Sequence, residues 1–95
     1  MNQGECSWWL DWSALPERKV WARLTVVASG DAEVLDCDGQ RHQFPSAAAA
    51  CLWLGEDEYS QMSDLIADGE LPAHQNPPSA RTEGELVQMM RAAAA

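Results

Sequence analysis

Two short glycine turns, Gly30-Asp31 and Asp38-Gly39, constrain this chain more than any other feature of its sequence. Before the first lies Val20 to Ser29, VWARLTVVAS, a run rich in β-branched residues that suit a strand. Ala32 to Cys37 is the return strand, and Gln40 to Phe44 supplies a third. A two-residue loop opening with Gly suits a type II′ turn, and Asp-Gly suits type I′. The expectation is a three-stranded antiparallel β-meander with turns at 30–31 and 38–39.

Two-residue turns fix a register, and a register sorts side chains by face. They pair Val27 with Val34, Val26 with Leu35, Thr25 with Asp36 and Leu24 with Cys37, then Cys37 with Gln40, Asp36 with Arg41, Leu35 with His42 and Glu33 with Phe44. One face then carries Ala22, Leu24, Val26, Leu35, Cys37, His42 and Phe44, and reads as the core. The other carries Trp21, Arg23, Thr25, Val27, Val34, Asp36, Arg41 and Gln43, with Asp36 between the two arginines.

Flanking segments complete an α+β domain. Trp8, Leu10 and Trp12 alternate, as in an extra N-terminal strand or an extended arm, after a polar stretch at residues 1–6 that reads as disordered. Ser46 is placed to cap a helix through Ala47–Leu54, with Ala47, Ala50, Cys51 and Leu54 on one face. Gly55 interrupts the pattern, and Glu56-Asp57-Glu58 suits the start of a second helix, where acid favours the dipole. Tyr59, Met62, Leu65 and Ile66 form its apolar stripe, and Gly69 and Pro72 close it. The chain thus reads as one domain over residues 1–71, a meander packed against one or two α-helices. Residues 72–95 read as a disordered, flexible tail with a weak helix over 83–92 capped by Thr82.

The formal charge is −9, from 15 acidic and 6 basic residues, which repels anionic membranes and nucleic acid at long range. Charge is uneven: residues 18–44 sum to zero, and the acidity lies on either side. Three cysteines, Cys6, Cys37 and Cys51, are too few and too irregular for a disulfide framework and read as reduced thiols of a cytoplasmic protein. The stretch from Met1 to Trp12 has no basic region and holds Glu5 and Asp11, so it does not read as a signal peptide, and no apolar run is long enough for a membrane span.

No residue set spells out catalysis. Cys37, Cys51, His42 and His74 lack the close pairing of a zinc site. Asp36-Cys37-Asp38-Gly39 opens like a calcium loop but has no distal glutamate, so the hairpin reading prevails. Cys37 and His42 could pair on one face, but that face is expected under a helix with no cleft. Hence no enzyme activity, cofactor or metal is expected.

Two surfaces remain. Trp21, Arg23 and Arg41 project from the outer sheet face, and Trp and Arg are enriched at binding hot spots. The competing reading has Trp8, Leu10 or Trp12 cover that face. Glu56, Asp57 and Glu58 form an acidic patch that either is simply solvated or docks onto a basic partner. A meander followed by a helix over about residues 20–54, with Arg and Trp on the open sheet face, resembles the AP2-type DNA-binding arrangement in architecture. That resemblance implies nucleic-acid recognition by the same face, which the acidic balance disfavours. The leading expectation is a small acidic protein-interaction module, monomeric or weakly dimeric, acting through these six residues on a protein partner.

Overall fold

The computed structural model describes residues 6–95. Among them, five strands form one antiparallel sheet in the order β4-β3-β2-β1-β5. The strands are β1 (Cys6–Asp11), β2 (Trp21–Val26), β3 (Ala32–Leu35), β4 (Arg41–Phe44) and β5 (Tyr59–Gln61), and the helices are α1 (Ala47–Glu56), α2 (Met62–Ala67) and α3 (Glu83–Ala94). The α+β class and the meander agree with the sequence reading, but the sheet is wider and is covered on both faces. Cys6 belongs to β1, and the remainder of the polar start, residues 1–5, lies outside the described residues.

Both hairpin turns are one residue longer than the two-residue loops the glycine signals suggested. Val27 N–H donates to Asp31 O at 2.9 Å, and Asp36 N–H donates to Gln40 O at 3.0 Å, so the loops are residues 28–30 and 37–39. Gly30 and Gly39 close them with φ of 90° and 85°, the left-handed position of a type I turn followed by a bulge. The register moves accordingly: Leu24 pairs with Val34 and Val26 with Ala32, then Val34 with His42 and Ala32 with Phe44. Each shift is an odd number of residues, so each flips a strand relative to its neighbour. For β4 the two flips cancel, and His42 and Phe44 stay on the face of Leu24. For β3 they do not. Val34 and Ala32 face the expected core, and Leu35 turns to the side expected to be open.

That flip shows why the sheet needs two covers. Val34 and Leu35, adjacent and on opposite faces, are both fully buried. On one face Trp9, Ala22, Leu24, Val26, Ala32 and Val34 pack against Ala50 and Leu54 of α1, with Phe44, Cys51, Trp53 and Tyr59 at the margin. Ser46 caps α1, its Oγ accepting from Ala49 N–H at 3.1 Å, and the small alanines of the first turns let the helix lie close.

On the other face Leu10, Trp21 and Leu35 pack against Leu65 and Leu71, and against Leu86 and Met90 of α3. The segment expected as a flexible tail thus supplies part of the core. Thr82 caps α3 through Glu85 N–H at 3.2 Å, two glutamates lie in its first turn and Arg91 in its last, all favourable to the dipole. An isolated helix of this length is marginal, so the buried Leu86 and Met90 are what hold it in place.

Residues 56–61 also depart from the expected helix. The expected helix start at Glu56-Asp57-Glu58 is instead the end of α1, which runs through Gly55. Glu58 takes φ 66°, and Tyr59–Gln61 become β5 on the outer edge of β1, with Trp9 opposite Gln61 and Asp11 opposite Tyr59. The Trp-rich segment is therefore an interior strand, and its second edge draws in residues whose local preference was helical. α2 is short and ends as expected at Gly69: Glu70 N–H donates to Leu65 O at 2.9 Å and Gly69 N–H to Ile66 O at 3.1 Å, the paired bonds of a Schellman motif.

Candidate functional site

The three residues expected on an open sheet face lie on the side that α2 and α3 cover, Trp21 beneath them and the arginines at the margin, with Arg41 still exposed. Trp21 is 2% exposed and meets Trp8 edge to face at 5.7 Å, so it is core. Trp8 and Leu10 lie beside it on the same face as neighbours in β1, not over it as the competing reading had them, and the cover comes from α2 and α3. Arg23 donates to Glu83 at 3.3 Å, and Arg41 bridges Glu33 and Glu83. The arginines therefore tie the start of α3 to the sheet, and the expected partner Asp36 is not between them. Leu35 stands opposite both.

Glu56, Asp57 and Glu58 are exposed at the C-terminal end of α1. This is the negative pole of the helix, where basic residues stabilise and acidic ones do not. Among the described residues none of the three takes part in a salt bridge.

Asp57 also rims a cleft of about 200 Å³ between the end of α1 and the β3–β4 hairpin. Ala22, Val34 and Leu54 form its floor, Trp53 and Tyr59 its aromatic walls, and Cys37 one side. Asp36 and Asp38 complete the rim with Asp57. A more open recess that shares Trp53 and Asp57 with it is lined also by Glu56.

The hairpin that positions this rim is held by local hydrogen bonds. One carboxylate oxygen of Asp36 accepts from Asp38 N–H at 2.9 Å and Gln40 N–H at 3.0 Å, a side-chain turn typical of aspartate. Its other oxygen pairs with His42 Nε2 at 2.9 Å. The His42 ring lies 4.8 Å from that of Trp53, and Phe44 packs 5.3 Å from the same indole. Behind the turn, Arg91 of α3 donates to Asp38 O at 2.7 Å.

The cleft is electronegative. Burial pushes the Tyr59 hydroxyl far above its ordinary value, with Cys37, Asp11, Asp57 and Asp36 adding to the shift. Burial likewise raises the Cys37 thiol, and Asp38 and Asp36 raise it further. A thiol held in this way stays protonated near neutrality and is a poor nucleophile. His42 is engaged by Asp36 and not by Cys37. Among the described residues no three His, Cys, Asp or Glu side chains are gathered closely enough to hold a metal ion, and no helix is long and apolar enough to cross a membrane.

Of the six expected site residues, only Asp57 lines this cleft, and Glu56 the neighbouring recess. Glu58 lies beyond them, and Trp21, Arg23 and Arg41 are on the opposite face. The residues the sequence reading passed over are Trp53, Tyr59, Asp36 and Asp38. The Asp-Cys-Asp-Gly turn was the available signal: a tight turn sets two carboxylates side by side. Comparison with known protein families, with curated proteins and with solved structures finds no match.

Proposed function

We propose that the protein is a small interaction module that captures a basic segment of a partner protein, with a lysine or arginine side chain seated between Trp53 and Tyr59. The observation that carries this reading is an acidic helix end in the wrong place for stability. Glu56, Asp57 and Glu58 crowd the negative pole of α1, and Asp57 meets Asp36 and Asp38 around an aromatic cleft. A cation there gains from the ring face and from unneutralised carboxylates together. A cleft of about 200 Å³ suits one side chain, being smaller than the usual small-molecule pocket. The charge of −9 also speeds encounter with a basic partner.

The test is fluorescence anisotropy with a labelled lysine–glycine peptide, against the wild type and a D38N/D57N double variant. Saturable binding that weakens about tenfold in the variant and with added salt supports the reading. Equal binding by both proteins, or none by the wild type, contradicts it.

A further inference from the structure

An imidazole adjoins the cleft. We infer that His42 makes cation capture pH-sensitive, weakening it as the imidazole gains a proton. This rests on the reading of the cleft as a cation site.

The imidazole of His42 contacts two of the groups that a guest cation would use. Its Nε2 is 2.9 Å from Asp36, and its ring is 4.8 Å from Trp53, inclined by 37°. Both Asp36 and Trp53 line the cleft. Neutral His42 leaves the Asp36 charge uncancelled. Protonated, it forms an ion pair with Asp36 and sets a positive charge beside the Trp53 ring, so the cleft loses one of its rim charges and part of its attraction for a second cation.

The other ionisable groups around this point are Asp38 and Cys37 from the hairpin, Asp57 from the end of α1, Tyr59 from β5 and, behind the turn, Arg91 of α3, which stays charged throughout. Arg41, next in the chain, faces the opposite side of the sheet in ion pairs with Glu33 and Glu83. Imidazole as a side-chain type is the one suited to a charge switch between about pH 5 and 8, and the geometry puts one against both Asp36 and Trp53.

The experiment measures affinity for the same labelled lysine–glycine peptide at fixed ionic strength, at about pH 8 and about pH 5.5. Wild type should bind about threefold more weakly at the lower pH, the size expected of a partly exposed charge pair. H42Q should bind equally at both. H42K, which keeps its charge throughout, should bind weakly at both, and circular dichroism checks that each variant is folded. A wild-type affinity that does not change with pH, or a pH dependence that survives in H42Q, overturns the inference while leaving the cation site standing. Absence of peptide binding at about pH 8 overturns both.

Discussion

The two faces of the sheet use the same kinds of residue to opposite ends. Beneath α2 and α3 most strong groups are satisfied by the chain itself: Trp21 is packed by Trp8, Leu35 and the α3 side chains, and the outer guanidinium nitrogens of Arg23 and Arg41 are held by Glu33 and Glu83, with only Arg23 Nε buried and without a hydrogen-bond partner among the described residues. Beneath α1 the packing stops short. Trp53 and Tyr59 are only half-buried, and Asp38, Asp57 and Glu56 have no salt-bridge partner among the described residues. Aromatic residues and charges on one face are spent on closing the fold. On the other they surround a cleft. Residue type alone does not separate a site from a core; what separates them is whether the fold itself supplies the partner.

The largest effect that would break this comparison is on stability at Trp21. Truncation to Ala should cost about 3–5 kcal/mol, a large part of the stability of a domain this size, whereas Trp53→Ala on the rim should cost under about half as much. Urea denaturation of both variants would show it, and equal losses would make the two faces alike. Next is Met90→Ala, expected to cost about 2–4 kcal/mol because the side chain is fully buried. A loss near zero would mean α3 does not help to hold the core.

Gly39→Ala sharpens the point at the hairpin. It forces a Cβ onto a φ of +85° and to within 3.3 Å of Val87 on α3, and should cost about 1–2 kcal/mol.

Tyr59 gives the fold an alkaline limit. Its folded-state ionisation is raised, so the contribution is fully present below the ordinary tyrosine value of about 10 and is lost as pH rises through the higher folded value. With the ring half-exposed the loss should stay under about 1 kcal/mol near pH 11, and Tyr59→Phe should remove it in denaturation curves taken at pH 8 and about 11. Smallest is Glu83→Gln, where loss of partly exposed ion pairs should cost about 0.5 kcal/mol and make stability less dependent on salt.

Much of the architecture was legible in the sequence. The strands at 21–44, the cap at Ser46, the apolar stripe of α1 and the Gly69 stop all follow from local chemistry, which is where turn and capping rules operate. The failures share a physical origin in tertiary context. A Gly can close a two-residue turn or the bulge of a three-residue one, and that single residue decided the face of Leu35. Once Leu35 and Trp21 lay on one face, a cover was required, and Leu86 and Met90, too few to hold a helix alone, supplied it. Residues 59–61 carried a helical pattern until the edge of β1 offered hydrogen bonds. The cleft was illegible for the same reason: Asp36 and Asp38 meet Trp53 and Asp57 only when α1 lies across the correct register.

Whether the cleft by Trp53 holds a cation is decided by titrating the ¹⁵N-labelled protein with an unlabelled lysine–glycine peptide and following amide and indole shifts. The account predicts saturable shifts confined to residues 36–38, the Trp53 indole and residues 56–59, with Trp21 and α3 unmoved. Shifts centred on Arg23, Arg41 or α3, or scattered across the surface without saturation, would contradict it.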